Sequence, residues 1–386
     1  MKYQAAIFTN IAPHYSRSLW YRLSSSDKVD YSFYSSAKGF CGIKTLDIQE
    51  SATINPDGLL RWYFLKNVLI GPRLIFQSGI ISKCIFTNYD VYVLLGEMSS
   101  ISSWIAAIIC RLRKKPLIFW GHGLYGNENA VKKFFRLTYY RLPDLHFVYG
   151  NRARELMINS GFIPEKIITV YNSLDFKMHM ELYDKRDARI LYGIKKDLFP
   201  LASDSPVILF IGRLTRQKKI HQLIHAIHLC FKKGNTYNCL IVGDGTESGN
   251  LKELVSLLGL EKQVVFYGAS YCEEKNAEFI MLSDCTVSPG NVGLTAMHSL
   301  SFGTPVITHK NFCNQGPEVE AVIQNRTGLY FEEDNVECLS DAIDDMIINR
   351  KKLFMERFCI EEIRQKWNPD CQAGIFDDSI LTFNKY

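Results

Sequence analysis

The sequence predicts an α/β protein of two domains, each built on a parallel β-sheet with helices packed against it. The first observation is length, because 386 residues are too many for one ordinary domain and enough for two of about 180 residues each. The second is that short apolar runs alternate with helix-like segments along most of the chain, which favours parallel sheets. The third is composition: 47% hydrophobic and 22% charged residues are typical of chains that fold around cores.

In the first half, apolar runs predict strands at residues 4–9, 91–95, 116–120, 145–149 and 167–171. Helices are predicted at residues 99–113 and 152–160, and Gly161 ends the second of them. These elements predict a first, Rossmann-like domain at residues 1–180. Residues 181–205 have a weaker pattern and mixed charge, so they are predicted to be a linker.

The second half alternates strand and helix five times, which predicts a doubly wound domain at residues 206–365. Its strands are predicted at residues 207–211, 239–242, 264–267, 285–288 and 305–308. Its helices include residues 249–258, 273–282, 294–302 and 334–349. Residues 366–386 are predicted to form a C-terminal segment that packs back toward the first domain.

Charge is divided unevenly along the chain, with a net +10 over residues 1–180 and −5 over residues 181–386. A basic half that touches anionic lipid is one interpretation, and an uneven surface is the other. Two segments combine basic and aromatic residues: residues 132–141, and residues 59–76 with Arg61, Trp62, Lys66 and Arg73. Each either rests on an anionic membrane or is an amphipathic helix that covers the sheet. Nucleic acid is not an expected partner, because the basic residues form no recognisable binding module.

The eleven cysteines are scattered singly, with neither a disulfide framework nor the spacing of a metal site. This pattern indicates a reducing compartment and no bound metal. The N-terminus lacks a signal-peptide pattern, and the longest apolar stretch is shorter than the ~20 residues of a spanning helix. The sequence therefore predicts a cytoplasmic protein that is soluble or lies on a membrane surface.

Glycines mark the carboxyl ends of the predicted strands in the second half, the edge at which open parallel sheets bind ligands. They are Gly212, Gly243, Gly245, Gly268, Gly290 and Gly293. One glycine there indicates only a tight turn, whereas several on one edge indicate close approach of a ligand.

Two segments at this edge predict an anion site. Arg213 and Lys218 follow the first strand of the second domain and are placed to meet a diphosphate, the alternative being a solvated basic loop. A turn then leads into a helix whose positive end attracts anions, although alone it also fits a plain strand-to-helix connection. The residues of that turn are Gly290, Asn291, Val292, Gly293 and Leu294. Together the two segments suit a nucleoside diphosphate, because both stabilise charge on a leaving phosphate.

These residues resemble the group-1 (family 4) glycosyltransferases of the GT-B fold over residues 205–345. The resemblance is carried by FIGRLTRQKK, LIVGDGTESGNLKELVSLLGLEKQVVFYG, SPGNVGLTAMHSLSFGTPVIT and RTGLYFEEDN. In the first half, FWGHGLYG and VYNSLD look like the family's histidine segment and the asparagine motif before its linker.

The resemblance implies an α/β GT-B protein, with two Rossmann-like domains facing across a cleft. The second domain is expected to hold a nucleotide sugar, a UDP- or GDP-sugar, and the first an acceptor. Transfer is expected to retain anomeric configuration without a metal or cofactor. The implied setting is bacterial surface polysaccharide synthesis (capsule, O-antigen or exopolysaccharide), with a saccharide acceptor that is lipid-linked if the basic half contacts membrane.

The resemblance also assigns roles to residues. Arg213 and Lys218 match the pair on the donor diphosphate, and His122 matches the catalytic histidine near the donor sugar. The loop after the first strand, with His14, Tyr15 and Arg17, matches an acceptor-side loop.

The chain departs from the family where two glutamates usually stand eight positions apart, near the donor sugar and at the ribose. Here those positions are Gly290 and His298. His298 can still hydrogen-bond a ribose through a ring nitrogen, and Glu318 or Glu320 is a candidate for the missing carboxylate. Other readings are a sugar-nucleotide epimerase, a phosphorylase, for which no pyridoxal-phosphate lysine is identified, and a binding protein that has lost its chemistry at Gly290.

Overall fold

A computed structural model of the chain describes residues 2–38, 45–46, 61–71, 74–126, 128–350 and 352–382. The chain divides into two compact units. Unit 1 comprises residues 1–175 and 368–386, and unit 2 comprises residues 176–367.

Unit 1 is built on an eight-stranded sheet of order β4-β3-β2-β1-β5-β6-β7-β8. Its strands are β1 (Tyr3–Ile11), β2 (Val29–Ser36), β3 (Arg61–Ile70), β4 (Leu74–Ser78), β5 (Val91–Leu95), β6 (Leu117–Gly121), β7 (Leu145–Val148) and β8 (Ile167–Thr169). All neighbours are parallel except β3 and β4. Its helices are α1 (Arg17–Ser24), α2 (Ile80–Phe86), α3 (Ile101–Leu112), α4 (Ala130–Tyr140), α5 (Asn151–Ile158) and, from the far end of the chain, α14 (Pro369–Thr382).

The interpretation of residues 59–76 as an amphipathic helix is wrong. Arg61, Trp62 and Lys66 lie on β3, which pairs antiparallel with β4, while Leu59 and Arg73 lie outside the described residues. Aromatic and β-branched side chains dominate β3, and such residues favour a pleated strand over a helix. The segment at residues 132–141, in contrast, is helical over nearly its whole length as α4.

Unit 2 is built on a six-stranded, fully parallel sheet of order β11-β10-β9-β12-β13-β14. Its strands are β9 (Val207–Ile211), β10 (Asn238–Val242), β11 (Val264–Gly268), β12 (Cys285–Ser288), β13 (Val306–His309) and β14 (Gly328–Phe331). Its α-helices are α6 (Phe176–Asp184), α7 (Ala188–Leu198), α8 (Ile220–Lys232), α9 (Ser248–Leu257), α10 (Glu273–Leu282), α11 (Leu294–Ser301), α12 (Val336–Asp344) and α13 (Lys352–Lys366).

In each sheet, the strand order reverses direction at one point. In unit 2 the chain runs outward from β9 to β11 and then returns beside β9 with β12. In unit 1 it runs outward from β1 and returns beside it with β5. Ligands of open α/β sheets bind at the carboxyl ends of strands beside such a reversal. The loops after β9 and β12 are therefore the candidate ligand-binding loops of unit 2, and those after β1 and β5 are the candidates of unit 1.

The division between the units differs from the predicted linker. Residues 181–205 belong to unit 2, where α7 and the end of α6 occupy most of them. Helix α14 belongs to unit 1, where the Asp377 carboxylate accepts hydrogen bonds from Tyr31 Oη at 2.8 Å and Ser26 Oγ at 2.7 Å. Among the described residues, no helix combines the length and apolar composition needed to cross a bilayer.

Candidate functional site

The loop after β9, residues 212–219, is called the basic loop here, and the loop after β12, residues 289–293, the glycine loop. The two are in direct contact. The Lys218 ammonium donates a hydrogen bond to the Asn291 carbonyl, and the Gly290 N–H donates one to the Lys218 carbonyl at 3.1 Å. The structure therefore brings together two segments about 70 residues apart, because their strands are neighbours.

Two cations lie close together in the basic loop. Burial lowers the pKa of the Lys218 ammonium, the positive charge of Arg213 lowers that pKa further, and the nearby Glu318 carboxylate acts in the opposite direction. The Arg213 side chain is exposed. Like charges held side by side repel each other, so an anion that bridges them is favoured. The predicted Arg213–Lys218 pair thus has the electrostatics of an anion site.

Position 290 has room for glycine only. A Cβ atom built on Gly290 would lie 2.1 Å from the Gln217 carbonyl oxygen and 2.9 Å from Lys218 Cα. Both distances are far below van der Waals contact, and both neighbours are backbone atoms. The absence of a glutamate at this position is therefore a consequence of how closely the two loops pack.

The glycine loop ends at the first turn of α11. Gly293 precedes that helix with φ of 55° and ψ of −147°, a combination that is open essentially only to glycine, and no side chain caps the helix start there. Gln315 fixes the loop by accepting the Val292 N–H at 2.9 Å and donating to Thr308 Oγ1 at 2.9 Å. The helix start thus keeps a fixed position and a positive dipole end.

His298 lies one turn further along α11 and is engaged by a carboxylate. Its Nε2 is 2.5 Å from Glu273 Oε1, and His179 Nε2 is 3.3 Å from the same oxygen. Burial acts to raise the pKa of the Glu273 carboxyl, but the hydrogen bonds from His179 and His298 outweigh it and hold that pKa well below its usual range. Sequence reasoning missed both partners of His298, because they stand on α6 and α10.

The two carboxylates considered as replacements have different surroundings. Glu318 is buried, and its Oε2 lies 2.6 Å from the position of a Cβ built on Gly316, beside the Asn291 side chain. Glu320 acts instead on Tyr330, since burial and then the Glu320 charge raise the pKa of that phenol well above its usual range. Of the two, Glu318 is the one whose charge acts on the basic loop.

In unit 1, His122 follows β6 and is exposed to solvent. Its ring lies 5.0 Å from that of Tyr149 and 5.7 Å from that of Tyr125, centroid to centroid. These rings border a cavity of about 140 Å³ that Glu97 and Arg136 also line. A histidine in this position is accessible to a ligand and is oriented by aromatic neighbours.

A buried ion pair supports the His122 loop. The Glu128 carboxylate accepts the Tyr125 and Gly126 N–H groups at 2.9 Å each and pairs with Arg136 Nη1 at 3.1 Å. The Glu128 side chain is only 4% exposed. Burial acts to raise its pKa, but the backbone N–H groups and the Arg136 charge outweigh that and lower it. Sequence reasoning did not single out this pair.

The three predicted acceptor-side residues lie at the same edge of the unit 1 sheet as His122. His14 and Tyr15 form a short helical turn after β1, and their rings are 5.7 Å apart. Arg17 begins α1, and its guanidinium lies 5.5 Å from the Tyr21 ring centroid. Because β1, β5 and β6 are parallel neighbours, their following loops share one edge.

Residues 194–365 match the family model of the group 1 glycosyl transferases. An uncharacterised glycosyltransferase of Methanocaldococcus jannaschii is 25% identical over 232 residues, which cover 58% of this chain and 56% of that protein. A GDP-mannose-dependent α-(1-6)-phosphatidylinositol monomannoside mannosyltransferase of Mycobacterium tuberculosis is 24% identical over 186 residues. These residues cover 45% of this chain and 47% of the mycobacterial protein. The chain thus spans about half the length of the curated relatives it matches.

The fold is similar to that of HepE of Anabaena, whose crystal structure contains UDP. The TM-score is 0.72 at 16% identity, over 99% of this chain and 100% of HepE. The GT-B fold predicted from the sequence is confirmed, and residues 194–365, which match the group 1 glycosyl transferases, lie within unit 2.

Proposed function

We propose that this chain, which carries a group 1 glycosyltransferase domain on a GT-B fold, transfers a sugar from a nucleotide sugar to a saccharide acceptor. The observation that carries the proposal is the arrangement at the sheet reversal of unit 2. There Arg213 and Lys218 on one loop lie beside the open start of α11 on the next. This arrangement offers two cations and a helix dipole to one anion.

The chemistry follows from where charge develops. When the bond between the sugar and the diphosphate breaks, negative charge grows on the leaving phosphate oxygen. The Arg213 guanidinium can form two parallel hydrogen bonds to phosphate oxygens, and the Lys218 ammonium adds a point charge. The N–H groups at the start of α11 complete the set, and fixed donors of this kind stabilise such a transition state. These groups can neutralise the charge without a metal ion, and the proposed transfer retains anomeric configuration.

The acceptor side is proposed to be formed by unit 1. His122 is exposed and oriented by two aromatic rings, which suits a catalytic group that contacts a bound sugar. His14, Tyr15 and Arg17 offer an aromatic surface and hydrogen-bond donors, the usual means of holding a sugar. His298, whose Nε2 is held by Glu273, is proposed to contribute to binding of the ribose through its other ring nitrogen, Nδ1.

The relatives support the choice of donor and acceptor. HepE was crystallised with UDP, and the mycobacterial relative is named for GDP-mannose and phosphatidylinositol monomannoside. We therefore propose a UDP- or GDP-sugar as donor and a lipid-linked saccharide as acceptor, in bacterial surface polysaccharide synthesis.

The surface of α4 supports contact with an anionic membrane. Phe134 and Phe135 on this helix are 66% and 54% exposed, and Val131, Lys132 and Lys133 beside them are exposed as well. A largely apolar groove of about 670 Å³ runs along the same helix. Exposed aromatic side chains with neighbouring lysines are typical of surfaces that lie in the headgroup region of an anionic bilayer.

The test is nucleotide binding by an Arg213→Ala variant. UDP- and GDP-sugars should raise the melting temperature of the wild type, with ADP- and CMP-sugars as the comparison. A hydrogen bond to a charged group contributes about 1.5–3 kcal/mol, so the variant should bind the preferred donor about 10–150-fold more weakly. Arg216→Ala is the matched control, because it removes an exposed arginine from the same loop. Equal affinities of the two variants for the donor would refute the phosphate-site assignment.

A further inference from the structure

Three helices of unit 2 each place one side chain at a common point. His179 comes from α6, Glu273 is the first residue of α10, and His298 lies in the middle of α11. One donor atom from each, the two histidine Nε2 atoms and a Glu273 carboxylate oxygen, lies within 4.8 Å of the others. We propose that these three side chains bind a divalent transition metal, with zinc as the ion that fits them best.

The donor set argues for zinc. Two imidazoles and one carboxylate is a set that zinc accepts in proteins, usually with a water molecule in the fourth position. Calcium and magnesium prefer oxygen ligands alone, so two imidazoles disfavour them.

The distances require shifts of at most about 1.4 Å, because the three donor atoms already lie within 4.8 Å of one another, against about 3.4 Å on a bound zinc ion. Tetrahedral zinc with bonds of about 2.0–2.2 Å holds its donor atoms about 3.4 Å apart. The separation between His179 Nε2 and Glu273 Oε1 is already 3.3 Å. The separation between His298 Nε2 and Glu273 Oε1 is 2.5 Å, so these two atoms must move apart by about 0.9 Å, which rotation of the partly exposed Glu273 side chain provides.

The three side chains are also buried to the degree expected of metal ligands. His179 is 3% exposed and stacks at 5.2 Å on the His298 ring, and Phe302 packs against both rings. The Glu273 and His298 side chains are 31% and 15% exposed, which leaves the solvent side open for the water ligand. Two histidines held against one carboxylate in an apolar surround form a preorganised set of ligands.

A metal there would connect α6, α10 and α11, and the inference does not depend on the proposed transfer reaction. The alternative is that the two histidines only hydrogen-bond the carboxylate. The exposed thiol of Cys272 stands next to Glu273 and is a competing ligand, although it now donates to Glu274 Oε2 at 3.2 Å.

The experiment is a metal titration of the full chain after dialysis against a chelator. Zinc chloride is titrated in competition with a chromophoric chelator, and cobalt chloride is added to a second sample for its absorption spectrum. The wild type should bind one zinc per chain and melt at a higher temperature with zinc than without. Glu273→Gln and His298→Gln should each weaken zinc binding by more than about 100-fold. That is the largest loss typical when a residue that only hydrogen-bonds a metal ligand is replaced. Glu273→Gln keeps the shape and hydrogen-bonding capacity of the side chain, so circular dichroism should show an intact fold.

Two matched controls complete the design. His221→Ala removes an exposed histidine of α8, and Cys272→Ser removes the neighbouring thiol; both should bind zinc like the wild type. The proposal is overturned by an absence of saturable zinc binding in the wild type, or by unchanged affinity in Glu273→Gln. It is equally overturned if Cys272→Ser abolishes binding and cobalt shows a thiolate charge-transfer band.

Discussion

Gly290→Ala is the substitution that tests most directly how the proposed donor site is built. The added methyl group would lie 2.1 Å from the Gln217 carbonyl oxygen and 2.9 Å from Lys218 Cα, so the basic loop must move by more than an ångström to admit it. Overpacking of this kind costs about 1–3 kcal/mol of unfolding free energy. For a unit of this size, each kcal/mol lowers the melting temperature by about 2–4 °C, which gives a decrease of about 2–12 °C. Because Lys218 moves with the loop, UDP or GDP affinity should fall at least about tenfold, the loss expected from one charged hydrogen bond.

Calorimetry with and without nucleotide provides the assay, since the transition that nucleotide shifts is that of unit 2. The matched control is Gly249→Ala on α9, where an added methyl group meets nothing within 4 Å. That substitution should be neutral or stabilise by about 0.4–1 kcal/mol, because alanine favours helix more than glycine does. If Gly290→Ala melts and binds nucleotide like Gly249→Ala, then the two loops do not pack as described and the steric reason for glycine at position 290 is wrong.

Two further predictions concern unit 1. Glu128→Gln breaks a buried ion pair and should destabilise unit 1 by about 3–5 kcal/mol, whereas exposed Glu165→Gln should have little effect. Because the folded-state pKa of Glu128 is lowered, its contribution to stability is present above the unfolded pKa of about 4.3 and is lost as the pH falls below that value. The difference in melting temperature between wild type and Glu128→Gln should therefore be constant at neutral pH and shrink in acid. A constant difference at all pH values would contradict the assignment. Replacing Phe134 and Phe135 by serine should reduce co-sedimentation with anionic vesicles by about 10–150-fold per phenylalanine, from about 1.5–3 kcal/mol of lost apolar burial each. Phe231→Ser on α8, also exposed, should sediment with vesicles like the wild type, and equal sedimentation of all three proteins would exclude α4 as the membrane surface.

Much of unit 2 could be predicted because its strands are buried on both faces. The five residues Val207–Ile211 are apolar throughout, and glycine follows at once, so the pattern gives β9 without ambiguity. Strand β3 of unit 1 was missed for the opposite reason. Most of its residues are exposed, so its apolar and basic residues show no strand alternation and fit a helix equally well. The linker was misplaced because α7 has no buried residue, and a helix without a buried apolar face gives only a weak hydrophobic pattern in the sequence.

The contact between the two loops of the candidate site could also be predicted, because parallel strands carry their following loops to one edge. The contact between Lys218 and the glycine loop follows from that rule and from the pairing of β9 with β12. The surroundings of His298 could not be predicted in the same way. Its partners Glu273 and His179 stand on helices whose rotation about their own axes depends on packing, and short-range pattern carries no information on that rotation.

The variant residues of the loop after β12 are best understood as one packing arrangement. Contact between the basic loop and the glycine loop excludes every side chain at position 290, so a carboxylate near the phosphate site must come from elsewhere in unit 2. Glu318 is the buried acid whose charge acts on Lys218, and Glu273 is the acid that engages His298. Both lie outside the loop-helix segment, on the chain after β13 and at the start of α10. The acidic groups around this site have therefore to be sought by position in space rather than by spacing in the sequence.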